Sequence, residues 1–229
     1  MAGWRRHLFY TKQCVRTTWK LRLGVLVVAT LALAATSRIW TSAIARSLVC
    51  AQDVGPSDLV LVENFDPSYV LFERAAALQK AGLAPRTLVL VQVSQAPGVA
   101  NPIFRGIAEI MARQARLETW EVLPIQEIEP ISLNAAAQIR DHLARERVKS
   151  LIVVTRGFRS RRSALIYTNV LHDAGMEVRC DPVFGRATPE RWTATWHGMQ
   201  EITEEFLKLQ YYRFYVLPFL AHRSSNGRA

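Results

Sequence analysis

The chain is poor in the signatures that quickly point to a chemistry. Its three cysteines, Cys14, Cys50 and Cys180, form no CxxC pair and stand at no metal-ligand spacing with histidine. That pattern excludes zinc-finger and thioredoxin-like readings and offers no metal ligand set. Cys50 and Cys180 are expected as buried free thiols; a bond between them would need an extracytoplasmic domain and a close approach that sequence does not establish. No glycine-rich phosphate turn occurs, so a dinucleotide fingerprint is missing and a nucleotide- or adenosylmethionine-dependent enzyme is disfavoured. Acidic residues are absent over a long stretch: Met1 to Arg46 contains eight Lys or Arg and no Asp or Glu.

That last absence reinterprets the net charge of +10. Beyond Arg46 there are 21 basic and 19 acidic residues, so the excess belongs to the leader. A globally basic, phosphate-backbone-binding domain is excluded on this distribution, and no DNA- or RNA-reading motif is present; nucleic acid is not an expected partner. The charge speaks to topology instead. Residues 1–20 read as a basic cytoplasmic leader, and Leu23 to Ser37 is an uncharged apolar run, the positive-inside arrangement. The run alone covers only ~22 Å of a ~30 Å hydrocarbon layer at ~1.5 Å per residue. Extension through Ile39, Trp40 and Ile44, with Arg38 snorkelling to the far interface, gives a single transmembrane anchor over 21–45. A cleaved signal peptide is the competing reading, since Ala43-Ile44-Ala45 fits a small-x-small site, and a buried soluble helix is the third. Either of the first two exports the rest of the chain, placing the main domain outside the cytoplasmic membrane with the lipid bilayer as a partner.

After a linker at 46–57, the body at 58–216 alternates apolar, β-branched runs with helical spacing, and 217–229 forms a tail. Strands are expected at 58–62, 86–93, 117–123, 150–155 and 176–183, with helices at 67–82, 103–116, 132–147 and 160–174. A long terminal helix is expected to begin near Thr188-Pro189-Glu190 and run to about Tyr215. Its C-terminal part, EITEEFLKLQYYRFYVLPFL, reads as an amphipathic helix and apolar tail that packs against the sheet, with the membrane surface as the alternative. Five strands alternating with helices predict a three-layer, Rossmann-like α/β fold with a largely parallel sheet.

Ligands of such sheets bind beyond the C-terminal strand ends, which selects three loops. Glu63-Asn64-Phe65-Asp66 offers two carboxylates and an amide; Asp66 is expected to cap the next helix, whereas Glu63 has no such local role. In the second loop, Ser132 or Asn134 caps a helix. The third, VVTRGFRSRRSALIY, concentrates Arg156, Arg159, Arg161 and Arg162 at a helix start that Ser160 is expected to cap. Cations belong at the other end of a helix, so something negative must compensate. Two compensations stay open: carboxylates such as Glu63 and Asp66, or an anionic ligand held by bidentate arginine. His142 and His172 read as surface residues of helices and His197 as a packing residue.

These loops, in this order, resemble the YdcF/SanA/ElyC family of bacterial envelope proteins over roughly Asp58 to Tyr212. ERAAALQKAGLAPRTLVLV is similar to the family's arginine-bearing helix and the strand after it, with Arg74 at the arginine. SLNAAAQI resembles the Thr-x-Glu-Asn-Ala element, with Asn134 on its Asn, and VVTRGFRSRRSA the element in which Thr155 and Arg162 match a Thr and an Arg. The chain departs from the pattern at the first turn (ENFDP for a glycine-rich turn), at Leu133 (for Glu) and at Arg159 (for His). Either the ligand has changed or catalysis is lost while binding persists. The resemblance implies a membrane-anchored extracytoplasmic envelope domain of unknown function, and the arginine loop adds the expected ligand, an anionic envelope metabolite such as a phosphate-bearing glycan or lipid-linked phosphate. Glu63, Asn64, Arg74, Asn134, Thr155, Arg156, Arg159 and Arg162 would line the pocket, with Glu63 as the one candidate general base. No cofactor is assigned. The alternative is a non-enzymatic envelope scaffold with a vestigial pocket.

Overall fold

The computed structural model describes residues 17–93 and 98–221. Most of the basic leader, the centre of the SQAPGVANP loop and the end of the tail lie outside this range. The chain divides into two compact units, Met1–Trp40 and Thr41–Ala229.

In the first unit, helix α1 (Trp19–Ala35) starts at Thr18, whose hydroxyl accepts from the Leu21 N–H. It ends at Thr36, whose hydroxyl donates to the Ala32 carbonyl at 2.8 Å, and helix α2 (Ser37–Ser47) follows. The single anchor expected over 21–45 is therefore interrupted: no single described helix is long and apolar enough to cross a membrane, and α1 and α2 meet that length and composition only as a broken pair. A hydroxyl bonding back to the preceding turn, followed by Ser37 and Arg38, gives the break its local cause.

The second unit contains β1 (Leu59–Val62), α3 (Tyr69–Lys80), β2 (Thr87–Gln92), α4 (Pro102–Gln114), β3 (Trp120–Ile125), α5 (Ile131–Arg145), β4 (Ser150–Arg156), α6 (Ser160–His172), β5 (Glu177–Val183) and α7 (Trp196–Tyr211). The five strands form one all-parallel sheet in the order β3-β2-β1-β4-β5. This is the α/β, Rossmann-like arrangement expected from the alternation, and every strand lies within a few residues of its expected position. Successive β1 side chains feed opposite faces: Leu59 and Leu61 pack with Leu133, Ile139 and Tyr167 of α5 and α6. Val60 and Val62 pack with Leu71, Phe72 and Ala108 of α3 and α4. Burial on both faces explains why β1 reads as an unbroken apolar run rather than an alternation.

Helix starts follow different chemistry from that expected. Asp66 does not cap α3, whose N-cap position is Ser68 without a side-chain cap bond. Ser160 does not cap α6; its hydroxyl donates to the Gly157 carbonyl and accepts from the Cys50 N–H. Neither Ser132 nor Asn134 caps α5, which begins after the cis Glu129–Pro130 peptide. The terminal helix starts later than Thr188, after a short turn at Trp192–Ala194, where Thr195 accepts from the Gly198 N–H. It passes at Tyr212 into a π-helix that runs to Ala221.

The segment read as a linker is fastened down. Leu48 is buried and its carbonyl accepts from Arg161 N–H, and Asp53 N–H bonds the Cys180 carbonyl. Cys50 and Cys180 are disulfide-bonded, with Cα atoms 6.5 Å apart, which corrects the free-thiol expectation. The partners are 130 residues apart in sequence, so only the docking of this segment beside β5 brings them together.

Candidate functional site

In a sheet of this order, the connections from β1 and β4 leave toward opposite faces, opening a crevice at their C-terminal ends. Glu63 follows β1 and Thr155 ends β4, so the two sit at that switch point. Glu63 is buried, and its carboxylate accepts from Thr155, from Ser163 at 2.7 Å and from Tyr167 at 3.3 Å. Three hydroxyl donors satisfy a charge that burial would otherwise penalise. Burial first, and then the Glu63 charge, push the Tyr167 phenol well above its ordinary range, so Tyr167 stays a donor. Glu63, the candidate general base, is thus buried at the centre of a cage of three hydroxyl donors. Asn64 is buried beside it, with Oδ1 lacking a hydrogen-bond partner.

Above this cage lies an open cleft of about 620 Å³, and Arg156, Arg159 and Arg162 all line it. Their compensation is carboxylate. Arg156 pairs with Glu201 at 2.9 Å, and Arg159 pairs with Asp66 and approaches Glu205 at 3.5 Å. Arg162 is buried, grips Glu205 with bonds of 2.9–3.1 Å and donates to Ser132 at 2.7 Å. Tyr212 lies under its guanidinium at 5.6 Å and accepts from the Ser132 N–H. Arg161 is the outward-facing one of the four and is exposed.

The electrostatics follow from this packing. Burial opposes the Arg159 charge, but Glu63, Glu205 and Asp66 together hold its guanidinium above its ordinary value. Burial likewise opposes the Asp66 charge, and Arg159 outweighs it, so that carboxyl lies below its ordinary value. Glu201 goes the other way. Burial raises it, Glu205 and Asp66 add to the rise, and Arg156 and Arg159 offset only part. Of Asp66 and Glu201, Glu201 carries its charge less comfortably.

Other expected site residues are placed elsewhere. Arg74 bonds the buried Asp181 at 2.5 Å, and Gln52 donates to the same carboxylate at 2.7 Å, which ties α3 and the docked segment to β5. Asn134 donates to the Ile128 and Pro130 carbonyls and so shapes the β3–α5 loop. His197 is exposed and lines the cleft rather than packing inside, whereas His142 is half-buried, 3.0 Å from Glu146. Glu121, His142 and Glu146 offer ligand atoms within 4.8 Å of one another. Arg86 donates to both glutamates, so a guanidinium already supplies the positive charge there.

Sequence reasoning missed Glu201 and Glu205. A signal was available: Gly198, Ile202, Glu205 and Leu209 share the buried face of α7, and a carboxylate on an apolar stripe calls for a buried cation. Ser163 and Tyr167 carried no comparable mark, because their role depends on where β1 ends.

No protein-family model matches the chain, and no curated protein does. The resemblance to the YdcF/SanA/ElyC family therefore rests on the motifs quoted above.

Proposed function

We propose that the protein is a membrane-anchored, extracytoplasmic α/β domain of the YdcF/SanA/ElyC kind that binds an anionic envelope metabolite without transforming it. Its basic leader and broken apolar helix pair support the anchor. The Cys50–Cys180 disulfide supports an oxidising compartment, because such bonds persist outside the cytoplasm. The convergence of Arg156, Arg159 and Arg162 on one open cleft at the switch point carries the binding reading. Glu63, enclosed by three hydroxyl donors, argues against general-base chemistry.

Arg156 is the entry point for an anion. Its side chain keeps 40 % exposure and has one paired carboxylate, Glu201, which burial makes a poor anion. A phosphate or carboxylate group displaces Glu201 at lower cost than it displaces the two-toothed Glu205 from Arg162. A second reading is favoured by the lining itself. Asp66, Glu127, Glu129, Glu201, Glu204 and Glu205 outnumber Arg156, Arg159, Arg162 and Lys208 among the described residues, as expected of a scaffold whose arginines serve only internal pairing.

Thermal stabilisation of the full chain by inorganic phosphate, sugar phosphates and prenyl phosphates separates the two. The binding reading expects a shift that Arg156→Ala abolishes and Glu201→Gln enlarges. Absence of a shift with every anion, in both wild type and Glu201→Gln, refutes it and leaves the scaffold.

A further inference from the structure

Helix α7 buries one face, and the rest of it, with the π-helix beyond, presents large apolar side chains to solvent. Trp196, Leu207, Phe214, Tyr215 and Phe219 are 51–71 % exposed. Tyr211, Tyr215 and Phe219 stand in a row, with ring centroids 5.5 and 6.0 Å apart. Isolated exposed hydrophobes are ordinary, but a contiguous aromatic surface marks an interaction site.

We propose that this surface lies in the headgroup region of the bilayer and holds the domain flat against the membrane. The inference rests on the anchored topology proposed above. Its first support is covalent geometry: the carbonyl of Thr41, within α2, accepts a hydrogen bond from the Trp192 indole at 3.1 Å. Ala45 and Leu48 then enter one hydrophobic cluster with Ile202 and Leu209 of α7. The helix that carries the aromatic surface is thus packed on the C-terminal end of α2, the half of the broken apolar pair that joins the domain.

Charge gives the second support. Among the described residues from Phe206 onward the surface carries Lys208, paired with Glu204 on the preceding turn, and Arg213, which lies over the Phe214 ring, and no Asp or Glu. Aromatic rings combined with Lys and Arg, without acids, suit anionic headgroups over an acyl boundary, where Trp and Tyr concentrate. The same charges disfavour a second copy as occupant. A two-fold contact through Phe214, Tyr215 and Phe219 would set Arg213 against its own copy, with no carboxylate between Phe206 and Phe219 to answer.

The test uses the full chain, reconstituted in phosphatidylcholine vesicles with or without phosphatidylglycerol. In a Cys14→Ser background, nitroxide labels are placed through Leu207→Cys and Phe214→Cys, and through Lys80→Cys on the exposed side of α3 as reference. Collision with oxygen and with a water-soluble nickel chelate is then measured. The expected result is a several-fold loss of nickel access and gain of oxygen access at 207 and 214 relative to 80, larger in anionic vesicles and reduced by Lys208→Glu with Arg213→Glu. Nickel access at 207 and 214 equal to that at 80 overturns the proposal. So does dipolar broadening between labels at 214, which would make the occupant a second copy. Carbonate extraction is scored separately: a chain released by carbonate refutes the anchor, and label protection in that chain still upholds the docking surface.

Discussion

Replacing Glu205 with Gln tests the account of the arginine cluster most directly. Glu205 and Arg162 are both buried and share three hydrogen bonds of 2.9–3.1 Å. With charge centres ~4 Å apart and an effective dielectric constant of ~20, their attraction is ~4 kcal/mol. Glutamine keeps the shape and one acceptor but removes the charge, leaving Arg162 buried with Ser132 and the Tyr212 ring, and Arg159 short of one neutralising neighbour. Breaking a buried pair in this way costs about 3–5 kcal/mol, a large part of the ~5–15 kcal/mol that stabilises a typical domain. For a chain of this size that corresponds to a fall in Tm of ~10 °C. Denaturant unfolding of the full chain in detergent, followed by near-ultraviolet circular dichroism, measures the loss. The double replacement Arg162→Met with Glu205→Leu is expected to recover most of it, because two apolar groups leave no unpaired charge. A loss below ~1 kcal/mol for Glu205→Gln would refute the claim that this pair organises the site.

The remaining expectations concern the cage, the disulfide and pH. Glu63→Gln replaces an acceptor of three hydroxyls and should cost about 1–3 kcal/mol of stability while leaving phosphate-induced thermal shifts intact; loss of the shifts without loss of stability would return Glu63 to the binding site. Cys180→Ser should lower stability by up to about 5 kcal/mol, the chain-entropy value for a closed loop of this length, and alkylation should detect free Cys50 only in that variant or after reduction. Because Glu201 has a raised folded value, the native state binds its proton before the unfolded chain does. Its contribution to stability therefore improves as pH falls through that raised value and is complete below the ordinary glutamate value. Asp66 has a depressed folded value, so its contribution is present above its ordinary value and is lost at more acid pH. Glu201→Gln should remove the first limb and Asp66→Asn the second in Tm measured against pH. Protonation of Glu201 also frees Arg156, so phosphate affinity should strengthen toward that window, and an affinity independent of Glu201 would count against displacement.

Period and punctuation in the sequence determined most of the architecture. The runs DLVLV, RTLVLVQV and SLIVVT are buried on both faces, and their spacing with helices leaves a parallel sheet as the economical solution. From that alone came the rule that directed attention to the ends of β1 and β4. Tertiary structure decided what the residues there touch, for one physical reason. Sequence reports which charges exist, but their partners are chosen by long-range packing. Glu63 looked free because Ser163 and Tyr167 are 100 and 104 residues away. Carboxylate and ligand stood as equal answers to the arginines because Glu205, the partner of Arg162, lies 43 residues beyond it. The disulfide spans 130 residues and was no more legible. Local signals fixed helices and strands, whereas the balance of buried charge, and with it the character of the cleft, emerged only when α7 closed on the sheet.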